Sequence, residues 1–180
     1  MTAQGSNNST AVPPVPGGLD PKMVAAATSK LVAARIGDIA FVFCRSPAHK
    51  FFSFADMEWL VLPPVVHSQY YISELVDPQT GAHAPVAVAT WAFVSEEVDL
   101  RLRQNLSQHI RLRPDEWKCG EIAWIVDFAG DPRGVAHAAQ WLLAGPFKDR
   151  AAKIVVRDAQ GQPRLETLDR LAPSAVAGAP

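Results

Sequence analysis

Cysteine is scarce in this sequence, and its scarcity limits what the chain can be. The two cysteines, Cys44 and Cys119, form no CxxC pair and have no metal-ligand spacing. A disulfide framework and a cysteine-bound metal are therefore excluded as organising features. So few cysteines are typical of proteins in a reducing compartment, where disulfides rarely persist.

An excess of charge and a long apolar run are also lacking. The formal net charge is −1 at pH 7, which excludes the broadly basic surface of a general nucleic-acid binder. No stretch approaches the ~20 apolar residues of a membrane-spanning helix. The first residues lack the charged and apolar regions of a secretory signal. We therefore expect a cytoplasmic protein with no membrane span and no nucleic-acid partner.

The composition is that of an ordinary globular domain. Of the 180 residues, 48% are apolar and 19% are charged, which is enough apolar side chain for one sizeable core. Residues 1–18 are rich in Ser, Asn, Pro and Gly, and we expect a disordered leader there. We expect a flexible tail over 173–180, which leaves residues 19–172 as one domain.

Local patterns predict an α+β domain. Asp20 and Pro21 are suited to begin a helix, and Ser46-Pro47 is suited to end it. A second short helix is expected to stop at Pro63-Pro64. A hairpin is predicted around the turn-forming residues 77–81. The predicted helices cover 21–43, 54–62, 95–105 and 133–143, and the predicted strands of a mostly antiparallel sheet cover 69–76, 85–94, 121–128, 152–158 and 164–168.

Two residues stand out as candidates for catalysis. His49 lies on a loop restricted by Pro47, and loops held by a scaffold often carry function. Asp127 follows Trp124-Ile125-Val126 in an apolar strand, where a carboxylate is costly without a partner. If the two meet, the carboxylate would orient the imidazole and raise its basicity. Residue type alone leaves other interpretations open: His49 as a surface loop residue, and Asp127 as a cap at the end of its strand.

Other polar residues give weaker signals. We interpret Cys44 as core and find no base near Cys119. Asp99, Arg101 and Arg103 have the pattern of a solvated helix face. The sequence contains neither a Walker loop nor a GxGxxG motif. The remaining histidines share no metal-site spacing and are expected mostly at turns or the surface: His67, His83, His109 and His137.

Four segments, taken in order, resemble the toxin-activating lysine acyltransferases, the family that includes the hemolysin-activating proteins encoded beside RTX toxins. They are SPAHK (46–50), PVAVATWAFVSEEVDLRL (85–102), EWKCGEIAWIVDF (116–128) and KIVVRDAQGQPRLETL (153–168). The likeness extends from about residue 37 to 168. Each motif is short, but four motifs in the same order make the resemblance fairly specific.

The resemblance implies a Gcn5-like acyltransferase fold, with a twisted, mostly antiparallel sheet flanked by helices. It implies transfer of a fatty acyl group from acyl carrier protein to internal lysines of an RTX-type protoxin, with no bound cofactor and no metal. Its catalytic residues correspond to His49 and Asp127, and its motif serine to Ser46. With Ser46, we expect Trp91 and Arg157 to bind substrate. A homodimer is also compatible with the resemblance.

The same comparison indicates how partners would be bound. Acyl carrier protein is acidic, so a basic patch of Arg45, Lys50, Lys153 and Arg157 is expected to dock it. An apolar channel for the acyl chain would draw on Phe51, Phe52, Trp91 and Trp124, although plain core positions explain these residues better.

The sequence departs from the family pattern at several positions. Lys50, Glu121 and Phe128 replace the usual arginine, aspartate and tryptophan. We find no counterpart of the long polar C-terminal helix. Two alternatives to the transferase stay open: a non-catalytic module of the same fold that binds a carrier protein or RTX-like partner, and a small thioesterase in which the pair activates water.

Overall fold

The computed structural model describes residues 20–171, so the leader predicted over 1–18 and the tail predicted over 173–180 lie outside the described residues. The centre is a five-stranded sheet whose strands pair in chain order. Three of the four pairings are antiparallel, and the third strand pairs with the fourth in parallel. The strands are β1 (Tyr70–Val76), β2 (His83–Val94), β3 (Ile122–Gly130), β4 (Ala152–Arg157) and β5 (Pro163–Thr167).

Helices cover both faces of this mixed sheet, which confirms the α+β class. The helix over Pro132–Ala144 packs on one face with Val135, Ala138 and Leu142. The helix that opens the described range packs on the other face. In the described range, no helix combines the length and the apolar character needed to cross a membrane. The helices are α1 (Pro21–Arg45), α2 (Met57–Leu60), α3 (Leu62–Val66), α4 (Glu96–Gln104) and α5 (Pro132–Ala144), with short 3₁₀ turns at Phe54–Asp56, Pro114–Glu116 and Leu168–Arg170.

Helix α1 delivers the loop that carries the candidate histidine. The Asp20 carboxylate caps its first turn by accepting from the Lys22 backbone N–H at 2.9 Å, as the sequence predicts. Only the second half of the helix packs on the sheet, through Ile39, Val42 and Phe43. Ser46 takes an extended conformation after Arg45 and ends the helix.

The prediction that Pro63-Pro64 ends a helix was wrong. Helix α2 ends at Leu60, and α3 begins at Leu62 with both prolines in its first turn. Proline is tolerated there because the first N–H groups of a helix have no intrahelical acceptor.

The solvated helix face predicted for Asp99, Arg101 and Arg103 was wrong for Asp99, whereas Arg101 and Arg103 are exposed. Asp99 is buried and accepts hydrogen bonds from Trp124 Nε1 at 2.8 Å and Lys153 Nζ at 2.5 Å. These bonds fasten α4 to β3 and β4. The carboxylate has charged and polar partners, which is what makes its burial tolerable.

The glycine of the EWKCGE segment has a steric role. A Cβ on Gly120 would lie 2.3 Å from the Val94 carbonyl oxygen, so only glycine allows the chain to pass this closely. The close approach lets Phe93 accept backbone hydrogen bonds from Cys119 and Gly120 and sets the start of β3.

Candidate active site

A tight turn fixes His49 after α1. The backbone N–H groups of His49 and Lys50 both donate to the Ser46 carbonyl at 3.0 Å, and Phe52 N–H donates to the His49 carbonyl at 2.9 Å. The imidazole stacks on the Phe43 ring, with ring centroids 4.3 Å apart and planes 4° apart. Helix end, turn and ring stacking together bury the side chain completely.

A β-bulge turns Asp127 towards this loop. Thr90 of β2 lies opposite Asp127, whereas the next residue, Trp91, lies opposite Ile125, so Val126 is extra in β3. Beyond the bulge, Ala129 packs with the residues of α1, whereas Phe128 packs with those of α5. Bulges often re-aim side chains beside functional sites. Here the bulge directs a buried carboxylate to the face of the sheet that α1 covers.

His49 and Asp127 meet as a buried hydrogen-bonded pair. His49 Nε2 lies 2.6 Å from Asp127 Oδ2, and the two side chains are 0% and 2% exposed. His49 Nδ1 lies 2.9 Å from Ser46 Oγ. The structure therefore brings three of the five residues predicted for the site into one chain of hydrogen bonds.

The electrostatics determine which imidazole nitrogen carries the proton. Burial raises the pKa of Asp127, but the hydrogen bond from His49 and the 3.5 Å contact with His109 together lower it more, so its pKa lies below the ordinary value. An ionised carboxylate can only accept, so His49 Nε2 carries the proton. The Nδ1 electron pair is then free to accept from the Ser46 hydroxyl. This is the tautomer that a general base requires.

His109 is a member of the cluster that the sequence prediction missed. Its Nε2 lies 3.5 Å from Asp127 Oδ2, and its ring stands edge-on to His49 at 5.8 Å. Sequence gave no signal for this contact, since His109 lies in the irregular segment between α4 and β3 and has no motif spacing.

Two clefts flank the pair. The first, about 150 Å³, lies beside His49 and is mainly apolar. The second, about 80 Å³, lies beside Asp127. It lies between β3 and β4, which pair only at Ala123–Ala152 and Trp124–Lys153. The first cleft is lined by Ala40, Phe43, Cys44, Lys50, Phe52, Phe54, Met57, Leu60 and Val61, among others, and the second by Leu106, His109, Ile110, Ile125, Phe128, Ile154, Val155 and Arg157, among others.

The two other residues predicted to bind substrate differ in placement. Arg157 lines the cleft between β3 and β4 and donates to the Gly161 carbonyl at 3.1 Å. Trp91 is buried on the α5 face of the sheet, edge-on to Phe147 at 5.9 Å. The structure therefore places Arg157 near Asp127 and leaves Trp91 on the face opposite His49.

The remaining residues predicted for the basic patch or the acyl channel also differ in their surroundings. Lys153 is held by Asp99, and Trp124 is fully buried. Phe51, by contrast, is 85% exposed, so the core interpretation of that ring was wrong.

The donor atoms of His49, His109 and Asp127 all lie within 4.8 Å of one another, close enough to hold a metal ion. Two ligands of a tetrahedral zinc with bonds of about 2.0–2.1 Å stand about 3.3 Å apart. The 2.6 Å separation of His49 Nε2 and Asp127 Oδ2 is instead that of a charge-assisted hydrogen bond. The residues fit a hydrogen-bonded pair better than a metal centre.

Comparison with known proteins identifies relatives of the chain. A model of the RTX toxin acyltransferase family matches residues 29–168. A leukotoxin-activating lysine-acyltransferase from a Pasteurella haemolytica-like species (strain 5943B) is 29% identical over 93 residues, covering 52% of this chain and 51% of the relative. One from Mannheimia haemolytica serotype A1 is 24% identical over 137 residues, covering 76% and 74%. A protein-lysine palmitoyltransferase from Bordetella bronchiseptica is 27% identical over 95 residues, covering 53% and 46%. The chain thus spans about half the length of two of these curated relatives and about three quarters of the other.

Proposed function

The chain belongs to the RTX toxin acyltransferase family, and from this premise we propose that it is a protein-lysine fatty-acyltransferase. It takes the acyl group from acyl carrier protein and transfers it to internal lysine ε-amines of an RTX-type protoxin. His49 is the general base, and Asp127 supports it. The observation that carries the proposal is the buried 2.6 Å hydrogen bond between these two side chains.

The reaction requires a base. A lysine amine with a pKa near 10.4 is mostly protonated at neutral pH and cannot attack a thioester until it loses a proton. The amine nitrogen then forms a bond to the acyl carbonyl carbon, the carbon–sulfur bond breaks, and the carrier thiol leaves with a proton. A well-placed general base contributes roughly 10²–10⁴-fold to such a step.

Ser46 links the base to the acceptor. Because His49 Nδ1 faces Ser46 Oγ at 2.9 Å and the imidazole is fully buried, the amine reaches the base through the serine hydroxyl. We propose that Ser46 gives its proton to His49 Nδ1 as it takes one from the amine. Since this hydroxyl is directed at His49, backbone N–H groups are the better source of donors for the oxyanion.

The two clefts suggest where the donor lies. The parallel strands β3 and β4 pair at only two positions and then diverge, which supports a Gcn5-like fold in which the carrier's thioester arm enters between them. We propose that the acyl chain occupies the apolar cleft beside His49, whose lining includes Phe43, Phe52 and Leu60. Acyl transfer would then occur beside Ser46, whose hydroxyl connects the acceptor amine to His49 Nδ1.

The direct test is acyl transfer with purified components. The protein is incubated with carrier protein loaded with acyl groups of several lengths and with an RTX protoxin, and acyl-lysine is located by peptide mass. We expect transfer by the wild type, and a loss of at least about 100-fold in His49→Ala and Asp127→Asn. His83→Ala is the matched control because His83 is exposed and pairs with Glu74.

Other outcomes would contradict the proposal in distinct ways. Carrier binding without transfer at any chain length would indicate a binding module. Free fatty acid without acyl-lysine would indicate a thioesterase. Transfer that persists in both site variants would show that the reaction does not require His49 or Asp127.

A further inference from the structure

A second histidine shares the Asp127 carboxylate with His49. Nε2 of His109 lies 3.5 Å from Asp127 Oδ2, the oxygen that His49 Nε2 also contacts. The His109 side chain is 29% exposed, whereas those of His49 and Asp127 are 0% and 2% exposed. His109 is therefore the solvent-facing member of the three.

Aromatic contacts hold the His109 ring in place. It stands edge-on to Phe52 at 5.4 Å and 87°, and to Trp59 at 6.0 Å and 76°. The neighbouring residues Ile110 and Leu112 are buried in the core. Edge-to-face packing is a favoured geometry for such rings. The ring thus lies between the aromatic residues and β3, with Nε2 near the carboxylate of Asp127.

The other charged groups described below around His109 are basic, so Asp127 is its acidic partner. Arg111, on the same segment, stacks on Trp59 at 4.9 Å. Arg157 of β4 lines the same cleft, and Arg101 of α4 lines the adjoining one. Among the ion pairs of residues 20–171, the one carboxylate that His109 contacts is that of Asp127.

This contact bears on the state of the carboxylate. Burial favours a protonated Asp127, and the two imidazoles oppose that effect. A protonated Asp127 would donate to His49 Nε2 and leave the imidazole proton on Nδ1, which faces Ser46. His49 would then be in the wrong tautomer to accept a proton through Ser46.

We propose that His109 is a positioning residue for the His49–Asp127 pair. Its N–H interacts with Asp127 Oδ2 and holds the carboxylate ionised and oriented, so that His49 keeps its proton on Nε2 and a free electron pair on Nδ1. The expected effect on the rate rests on the proposed function, whereas the effect on the His49–Asp127 hydrogen bond does not.

Three substitutions distinguish N–H donation from packing. His109→Gln keeps a donor near the position of Nε2, His109→Phe keeps the ring without a donor, and His109→Ala removes both. We expect kcat within about threefold of wild type for His109→Gln, and about tenfold lower for the other two, because these two lose the N–H contact with the charged carboxylate. KM is expected to stay unchanged. His137→Phe, on α5 at the other face of the sheet, is the matched control.

A spectroscopic measurement tests the same arrangement without substrate. The proton on His49 Nε2 should give a downfield ¹H resonance, which is absent in His49→Ala. It should persist in His109→Gln and shift or disappear in His109→Phe. If wild type transfers no acyl group, the proposed function fails, but this comparison still decides the role of His109.

Several results would overturn the proposal. One is equal kcat and an unchanged resonance in His109→Gln and His109→Phe. Another is a loss that follows side-chain size, with Phe tolerated and Ala not. A third is loss of wild-type transfer in a chelator with recovery on adding zinc, which would make the three side chains a metal site.

Discussion

Both ring nitrogens of the buried His49 already have hydrogen-bond partners. The imidazole can therefore accept a proton only from the group that donates to its unprotonated nitrogen, Nδ1. In this site that group is the Ser46 hydroxyl, 2.9 Å from His49 Nδ1. We therefore expect Ser46→Ala to lower kcat by at least about 100-fold, as His49→Ala does, because the base then has no link to the amine. Ser46→Thr should retain more activity because it keeps a hydroxyl. The measurement is the transfer rate at saturating donor and acceptor.

The same residue allows a check against covalent catalysis. A serine hydrogen-bonded to a His–Asp pair also has the arrangement of an activated nucleophile. If Ser46 relays a proton, intact mass after incubation with acyl donor alone should show no acyl adduct. A stoichiometric adduct at Ser46, or a wild-type rate for Ser46→Ala, would contradict the relay.

At the residue scale, sequence identified the pair but not its surroundings. A histidine after a Ser-Pro break and an aspartate in an apolar strand are both unusual enough to be noticed. Neither the bulge at Val126 nor the contact of His109 is visible in a sequence. The bulge depends on how β3 pairs with β2, and the contact depends on how the segment between α4 and β3 packs. The sequence also does not show which face of the sheet carries Trp91, because that depends on whether α1 or α5 covers this side of β2.

At the scale of elements, the short helix α2 forms part of the wall of the apolar cleft. Met57 lines this cleft and begins α2. A larger side chain there would remove volume beside His49. If the proposed transfer occurs, we expect Met57→Trp to shift the donor preference towards shorter acyl groups, with little change for the shortest donor. The measurement is transfer from a series of carriers that differ only in chain length.

Leu62→Trp provides the matched control, because Leu62 lies just beyond α2, is partly exposed and does not line the cleft. An unchanged chain-length profile in a folded Met57→Trp variant would place the acyl chain elsewhere, with the cleft between β3 and β4 as the next candidate.

Most elements were predictable because their local signals agree. The Asp20 cap, the turn chemistry after Val76 and the apolar run of β3 each favour a single structure. The exceptions are positions where tertiary contacts, and not the local sequence, determine the structure. Prolines 63 and 64 begin a helix instead of ending one, and Asp99 is buried because Lys153 and Trp124 meet it from other elements.

At the scale of the whole molecule, the net charge is −1, yet two basic residues, Arg45 and Lys50, form a basic rim around the His49 loop. Arg45 lies over the exposed ring of Phe41 at 5.3 Å, and Lys50 over that of Phe51 at 4.9 Å. These are two of the four residues in the basic patch predicted from the sequence, and both flank the loop. Lys153 is paired with Asp99, and Arg157 lies in the other cleft. The net charge cannot show where these basic residues lie, because it counts charges that are paired in the fold together with charges that are not.

We expect this rim to contact the acidic carrier protein. Lys50→Glu should raise KM for the acyl carrier about three- to tenfold at low salt, because complementary rim charges act mainly on encounter. The difference should shrink at high salt, where counterions screen exposed charges. The rate at saturating carrier should change less than KM does, because Lys50 lines the apolar cleft but does not belong to the Ser46–His49–Asp127 hydrogen-bond chain. The measurement is KM and kcat at both salt concentrations.

Lys30→Glu is the matched control, since Lys30 is exposed on the outer part of α1, away from the loop. An equal rise in KM for both variants would indicate a response to net charge and not to the rim. A KM for Lys50→Glu that does not depend on salt would show that the carrier docks elsewhere, and Arg157 at the opening between β3 and β4 would then be the position to reverse next.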